Sequence, residues 1–288
     1  MKTIASIVAL LGLLTMASPA ISGEVQDGTM DLLFIHHSCG GQLFADQGEN
    51  DGEKCIYISH PNGGGLRSML QAEGYQVNEA SYGSIVGDDT DICHWREKFA
   101  SQMVRILTTR MQDELLPEGR SNEVVCFKSC FPNNSFKGEG EAPGDPDDCN
   151  LTVANAKATY RDLLPMFKEN PEVLFVAFTA PPNYQTGGFK GWVKKVLKGA
   201  NRSGEMAVQF NSWLTDRDHG WLAGYELPNV VVFDHFGILT DDNESGALQY
   251  PSGNGQDSHP NSAGNQKSAA AFIPFLAAAV DGMNWPQP

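Results

Sequence analysis

Short apolar runs recur along the chain and are separated by longer amphipathic stretches. Five of these runs are almost continuously apolar, which is typical of strands buried on both faces of a sheet. The pattern predicts strands over residues 30–35, 74–80, 123–128, 173–179 and 229–234. It predicts helices over residues 64–73, 94–116, 153–169 and 263–280, with further helical structure and loops between 183 and 224.

The alternation of strands and helices predicts an α/β fold. Parallel strands need crossover connections, and the intervening helices supply them. We therefore expect one doubly wound domain with a five-stranded parallel sheet and helices on both faces. In that architecture ligands bind beyond the carboxyl ends of the strands. The unusual polar residues of this chain lie in the loops at those ends, which predicts that its chemistry collects there.

The first residues are interpreted as a secretory signal peptide. Lys2 gives a positive start, residues 4–16 form an apolar core, and the small residues around Ala20 suit cleavage. The apolar run is shorter than the ~20 residues that a membrane span needs. We expect a signal peptide over residues 1–23, a mature domain over residues 24–288, no stable membrane insertion, and a secreted or periplasmic location.

Charge narrows the possible partners. The 288 residues include 35 acidic and 20 basic side chains, which gives a formal net charge of −15. A chain this acidic, with no run of Lys or Arg, has no surface suited to a phosphate backbone, so nucleic acid is not expected as a partner. The hydrophobic fraction of 41% is ordinary for a globular protein and excludes disordered and fibrous classes.

The six cysteines are interpreted in the light of export. An oxidising compartment allows up to three disulfides, and the sequence does not choose among the pairings. Structural zinc is the competing interpretation, but Cys126 and Cys130 have no second ligand pair at the usual spacing. We therefore expect no metal and no cofactor.

Ser38 is the first candidate for chemistry. It lies just past the first predicted strand and is followed after one residue by Gly40 and Gly41, where the backbone can turn sharply and expose a hydroxyl. The alternative is that Ser38 only caps a following helix, since serine is a preferred N-cap residue.

Asp257 and His259 supply a base and its orienting acid in one loop before the last helix. In a serine hydrolase the imidazole takes the hydroxyl proton, and a carboxylate on its other nitrogen fixes the tautomer and stabilises the imidazolium. The alternative is a loop histidine in solvent beside an N-cap at Asn261.

Stabilisers of an oxyanion should come from the ends of the intervening strands. Gly87 follows the second strand and can bring a bare backbone N–H close to a ligand, while Asn133 follows the third and offers a side-chain amide. Asn134 is an alternative to Asn133, and either asparagine could instead serve as a turn residue.

In order and spacing these blocks resemble the SGNH hydrolase (GDSL-type esterase) superfamily over nearly the whole mature chain. The matching segments are residues 34–38 with the nucleophilic serine, 77–90 with the oxyanion glycine, 124–133 where the third block has its asparagine, 179–182, and 257–260 with Asp and His. The resemblance implies a flavodoxin-like three-layer sandwich and an esterase that acts on small acyl groups.

Three departures mark a divergent branch. His36 and His37 stand where the family has Gly-Asp, the third block is altered around Asn133, and Asp257 lies two residues before His259 where three is usual. Adjacent histidines point to opposite sides of an extended backbone, so we expect one to line the pocket and the other to pack beneath the loop. A metal site built from these histidines with Asp257 and His259 is the alternative.

The combined expectation is a secreted serine esterase that forms an acyl-enzyme on Ser38. Its expected substrate is an ester-bearing small molecule or acetylated polysaccharide, most simply an O-acetyl ester on carbohydrate. A lipase or thioesterase of the same superfamily is an alternative, because fold does not determine substrate. An inactive carbohydrate-binding protein on the same scaffold is another. The acyl group, the alcohol and the oligomeric state are left open by the sequence.

Overall fold

A computed structural model of the protein describes residues 29–46, 63–185, 203–242 and 244–283. The predicted signal peptide and Cys55 lie outside these ranges. Within the ranges, none of the helices combines the length and the apolar character needed to span a membrane.

The described chain alternates strands and helices. The strands are β1 Asp31–Ile35, β2 Gln76–Ala80, β3 Thr109–Met111, β4 Glu114–Leu115, β5 Val124–Lys128, β6 Leu174–Phe178, β7 Val230–Phe233, β8 Pro251–Ser252 and β9 Asp257–Pro260. The α-helices are α1 Ser38–Phe44, α2 Leu66–Ala72, α3 Trp95–Thr108, α4 Val153–Lys168, α5 Ser203–Thr215, α6 His235–Thr240 and α7 Ser262–Gly282.

The main sheet has the order β4-β3-β2-β1-β5-β6-β7. The five predicted strands are parallel and run β2-β1-β5-β6-β7, which is the 2-1-3-4-5 order of flavodoxin-like folds. The predicted α/β class and the five parallel strands are therefore confirmed. The strand order reverses between β1 and β5, and the crevice at the carboxyl ends of these two strands is where such folds bind ligands.

The expected count of five strands is too low, because the sheet has seven. The helix predicted over 94–116 is shorter than expected, because α3 ends at Thr108. The residues that follow form the antiparallel hairpin β3–β4 at the edge of the sheet. Gln112 turns the hairpin in the left-handed region at φ 55°. The Asn122 amide donates to the carbonyls of Ile106 and Thr109, at 3.0 and 2.8 Å, so that a distant side chain stabilises the early helix end.

Residues of alternate parity along the strands enter two separate cores. Leu33, Ile35 and Phe127 face α3, α4 and α5, with Trp95, Phe99 and Phe167 among the fully buried side chains there. Leu32, Phe34, Cys126 and Phe178 face α1, α2 and α7. This division is the reason that each strand reads as continuously apolar, and it confirms that helices cover both faces of the sheet.

Cys93 and Cys149 form a disulfide across 56 residues of chain. Cys39, Cys126 and Cys130 are free thiols. The six cysteines therefore do not behave alike: one pair crosslinks the loops at the start of α3 and before α4, while Cys39 and Cys130 lie beside the candidate site.

Candidate active site

The candidate site lies at the carboxyl ends of β1 and β5, where the strand order reverses. Ser38 is the first residue of α1, three residues after β1 ends, and it is 6% exposed. Its Oγ lies 2.9 Å from Sγ of Cys130, two residues beyond β5, and either atom can donate. This contact joins the two strands that border the crevice.

The turn that carries Ser38 rests on a buried histidine. His36 is fully buried, and its Nε2 lies 2.8 Å from Oε1 of Glu79 on β2. Arg67 of α2 forms an ion pair with the other carboxylate oxygen. A Cβ at Gly40 would lie 2.4 Å from Cβ of His36, so only glycine lets the first turn of α1 pass over the imidazole. His36, Glu79 and Arg67 together form what we call the paired cluster.

Asp257 and His259 lie on β9, which pairs with β8 in a small antiparallel sheet. The Asp257 Oδ1 atom lies 2.9 Å from Nδ1 of His259 and also accepts the His259 backbone N–H at 3.1 Å. Burial acts to raise the pKa of Asp257, but the hydrogen bonds from His259 outweigh it and lower that pKa overall. The helix N-cap is provided by Asn261, whose side chain accepts the Gly264 N–H at 3.1 Å, so His259 does not serve as the cap.

The segment after β5 brings the two halves of the site together. The ring of Phe131 packs edge-on against His259, with centroids 5.0 Å apart, while the preceding residue, Cys130, contacts Ser38. Ser38 and His259 therefore contact successive residues of the same segment.

Gly87 lies in the loop after β2, where its position after the second predicted strand led us to expect it. Its N–H donates to Oγ of Ser84 at 2.9 Å, and its carbonyl accepts from Nε2 of His37 at 2.7 Å. A Cβ here would lie 2.1 Å from the Ser81 carbonyl, which is a packing reason for glycine. His37 also stacks on the partly exposed ring of Tyr82 at 3.7 Å, and burial lowers the pKa of His37.

Asn133 is 3% exposed, and both ends of its amide have partners: Oδ1 accepts the Ile92 N–H at 2.8 Å and Nδ2 donates to Asp91 at 2.7 Å. Asn134 donates to the Ala180 carbonyl at 2.8 Å and accepts from Asn211 at 2.8 Å. Both asparagine side chains are therefore engaged in hydrogen bonds within the fold.

Cys130 is the site residue that the sequence reasoning did not identify as functional. Its Sγ lies 3.4 Å from Sγ of Cys39. The hydrogen bond with the Cys39 side chain, followed by the positive charge of Lys128, lowers the pKa of Cys130 well below its usual value although burial opposes this. Burial raises the pKa of Cys39 well above its usual value. Its place directly after the third parallel strand was the available signal.

Beneath Cys130 lies a second buried polar group. Lys128 is fully buried, and within the described chain its ammonium has one acceptor, the Ser129 carbonyl at 3.2 Å. His235, at the start of α6, is also fully buried, and neither of its ring nitrogens has a hydrogen-bond partner in the described ranges. Burial, assisted by the charge of Lys128, lowers the pKa of His235 well below its usual value. We call Lys128 and His235 the unpaired cluster.

Potential metal ligands meet at one place among the described residues, the group of Cys93, His94 and Cys149. Two of these three are joined in the disulfide. They line a cleft of about 160 Å³ together with Asp91, Asn133 and Asp148. The histidines near Ser38 have other partners, since His36 bonds Glu79 and His37 bonds Gly87.

No protein-family model matches the chain, and no curated protein matches it. Solved structures similar to it include a carbohydrate esterase described as having "divergent catalytic and non-catalytic binding functions" (15% identity, 86% of this chain, 65% of that chain, TM-score 0.38). Others are a gut microbial diltiazem-metabolizing enzyme (13%, 86% and 47%, TM-score 0.45) and a variant of an acetylxylan esterase from Geobacillus stearothermophilus (14%, 86% and 94%, TM-score 0.44).

The chain spans 65% and 47% of the length of the first two of these proteins. The TM-scores of all three matches lie below 0.5. What the site can do follows from its strand order and its side chains.

Proposed function

We propose that this protein is a serine esterase in which Ser38 is the nucleophile, His259 the general base and Asp257 the residue that orients the base. The observation that carries the proposal is the 2.9 Å hydrogen bond between Asp257 and His259, on an imidazole that packs against the residue next to Cys130. A hydrogen-bonded base and acid next to the segment that contacts Ser38 support this assignment of roles.

The hydrogen bond also determines which nitrogen acts. An ionised carboxylate only accepts hydrogen bonds, and the pKa of Asp257 is lowered, so the proton of a neutral His259 resides on Nδ1. Nε2 is then the unprotonated nitrogen that accepts the Ser38 proton as Oγ attacks the ester carbonyl. The imidazolium returns the proton to the leaving alcohol, and water releases the acid from the acyl-enzyme.

The oxyanion donors in this proposal are the Ser38 N–H, Gly87 and Asn133. In the present structure the Gly87 N–H donates to Ser84 and the Asn133 amide donates to Asp91. These two groups act as donors only if substrate displaces their present partners. The proposal therefore includes a rearrangement of the loops after β2 and β5 on binding.

The proposed substrate is a small-acyl ester, most simply an O-acetyl group on carbohydrate. Ser38 is only 6% exposed, which leaves little room for a long acyl chain beside the nucleophile. The acidic chain is better suited to a neutral polysaccharide than to an anionic lipid surface. A secreted or periplasmic location is part of the proposal, and the Cys93–Cys149 disulfide supports it.

The test is hydrolysis of p-nitrophenyl acetate by the mature chain beside Ser38→Ala and His259→Ala, each with and without EDTA. We expect turnover that resists EDTA and falls at least about 1000-fold in both variants, because the triad members act as a unit. A chain-length series from acetate to palmitate separates the esterase from a lipase. Turnover that survives Ser38→Ala but is lost with EDTA would overturn the serine mechanism.

A carbohydrate-binding protein without activity is the second candidate. It is favoured by the engaged state of Gly87 and Asn133, whose donors are occupied within the fold. Calorimetric titration with deacetylated and acetylated xylo-oligosaccharides separates the two. Binding without hydrolysis in every redox state supports this candidate, whereas release of acetate excludes it.

A further inference from the structure

We infer that Cys39 and Cys130 form a reversible disulfide that switches the Ser38 site on, with the reduced pair holding Ser38 in an inactive arrangement. The inference rests on the proposed function for its effect on hydrolysis, while the formation of the disulfide stands on the geometry of the two thiols. The thiol of Cys130 contacts the hydroxyl of Ser38 directly, with Sγ 2.9 Å from Oγ.

The geometry needs only a small movement. The two sulfur atoms lie 3.4 Å apart, and a disulfide bond is about 2.05 Å long, so they approach by little more than one ångström. Cys130 precedes a short 3-10 helix in a loop and is partly exposed, whereas Cys39 is fully buried in α1. A small reagent in the crevice therefore meets Cys130 first and Cys39 lies behind it.

The surroundings divide the two thiols into an attacking and a resolving partner. The hydrogen bond with Cys39 and the charge of Lys128 hold the pKa of Cys130 low, whereas burial holds the pKa of Cys39 high. Thiol–disulfide exchange starts from a thiolate, which the hydrogen bond with Cys39 stabilises first and the charge of Lys128 stabilises further.

The exchange balances with a low-molecular-mass disulfide as oxidant. The Cys130 thiolate attacks one sulfur of the reagent, forms a mixed disulfide and releases one thiolate. Cys39 then gives up its proton to solvent and attacks Sγ of Cys130, which releases the second thiolate. The protein loses two electrons and one proton, which goes to solvent, and the reagent is reduced to two thiolates.

The direction of the effect follows from the contact with Ser38. A thiolate 2.9 Å from Oγ accepts the Ser38 hydrogen bond, and it thereby competes with His259 for the same proton. Its negative charge also opposes the oxyanion that forms beside Ser38. A disulfide sulfur has neither the charge nor the proton, so oxidation releases the hydroxyl to His259.

The first experiment locates the bond without reference to activity. The full mature chain is incubated with oxidised glutathione, alkylated, digested without reduction and mapped by mass spectrometry. We expect a Cys39–Cys130 linked peptide that disappears with dithiothreitol. No such peptide, or Cys130 linked to Cys55 instead, would overturn the inference. Because the wild-type chain is used, the result does not depend on a variant that folds.

The second experiment compares p-nitrophenyl acetate hydrolysis before and after reduction within each of three proteins. In the wild type and in Cys126→Ala we expect the oxidised form to be about tenfold or more faster, since a charge beside the oxyanion is removed. In Cys39→Ala, which keeps the Cys93–Cys149 disulfide, we expect the ratio to be close to one. A redox response that persists in Cys39→Ala, or faster hydrolysis by the reduced wild type, would contradict the inference.

The two experiments keep this inference separate from the proposed function. A wild type that hydrolyses no ester in either redox state contradicts the esterase and the switch of its activity together. The peptide map still decides whether Cys39 and Cys130 pair.

Discussion

The paired cluster and the unpaired cluster both contain buried ionisable side chains, but only the paired cluster contains an acid to neutralise its cation. In the paired cluster, Glu79 accepts from both His36 and Arg67, and all three side chains lie out of solvent. In the unpaired cluster, the described chain offers Lys128 one acceptor, the Ser129 carbonyl, and offers neither ring nitrogen of His235 a hydrogen-bond partner. Both clusters contain one cation and one histidine.

Because their charges are compensated differently, we expect the two clusters to have different roles. A buried ion pair with its hydrogen bonds satisfied holds one geometry, and here it holds the turn that presents Ser38. A buried cation without a counterion is costly, but its field acts on whatever anion forms nearby. The thiolate of Cys130 is such an anion, and the charge of Lys128 helps to lower the pKa of Cys130.

The largest expected effect comes from breaking the paired cluster. Glu79→Ala leaves Arg67 buried without its carboxylate, so we expect the free energy of unfolding to fall by about 3–5 kcal/mol. Urea denaturation followed by circular dichroism measures it. Asp147→Ala is the control, since it removes the acid of the exposed ion pair with Arg96 and should have a much smaller effect. An equal loss in both variants would show that the paired cluster is not special.

A matched pair of histidine substitutions sharpens the comparison, because His36 and His235 are both fully buried. His36→Leu leaves Glu79 without one partner and should lower the unfolding free energy by about 1–3 kcal/mol. His235→Leu removes two ring nitrogens without partners in the described chain and should raise it by about 1 kcal/mol. Changes of the same sign in both would contradict the distinction between the clusters.

His235 also makes the stability of the protein depend on pH. Because the pKa of His235 is lowered on folding, the unfolded state binds a proton that the folded state does not once the pH falls below about 6.5. Stability of the wild type should therefore decrease on acidification below that value, by up to about 1.4 kcal/mol per pH unit relative to His235→Leu. Parallel stability curves for the two proteins would show that His235 takes up no proton on unfolding.

The smallest expected effect concerns the thiol. In Lys128→Met the charge that helps to lower the pKa of Cys130 is absent, so we expect a higher pH to be needed for alkylation of Cys130 by iodoacetamide to reach half of its maximal rate. Mass spectrometry of the Cys130 peptide gives the rate. The rate at Cys126, which is buried and has a raised pKa, serves as the internal reference. If the alkylation of Cys130 is the same in Lys128→Met as in the wild type, Lys128 does not lower the pKa of Cys130.

The hydrophobic pattern predicted most of the scaffold. Each of the five predicted strands is a parallel strand of the sheet, and most of them are apolar throughout because they are buried on both faces. The edge hairpin was missed, since Thr109 and its neighbours continue the amphipathic pattern of α3 while a distant residue, Asn122, stabilises the early end of the helix. An interaction between residues separated along the chain leaves no signal in the local hydrophobic pattern.

The candidate site was predictable to the extent that its residues follow strands. Ser38 and the pair of Asp257 and His259 were found because strand ends and loop chemistry can be recognised locally. Cys130 was not, because its role depends on its contacts with Cys39 and Ser38, which lie more than ninety residues away.

The sequence by itself therefore determined the α/β class, the five central strands and the crevice at which polar residues collect, because period, length and order along the chain encode these features. The tertiary structure decided which donors are already occupied, which buried charges have partners, and which thiols face each other. These are properties of distances between remote segments, and electrostatic and hydrogen-bond energies depend on such distances more steeply than on residue type.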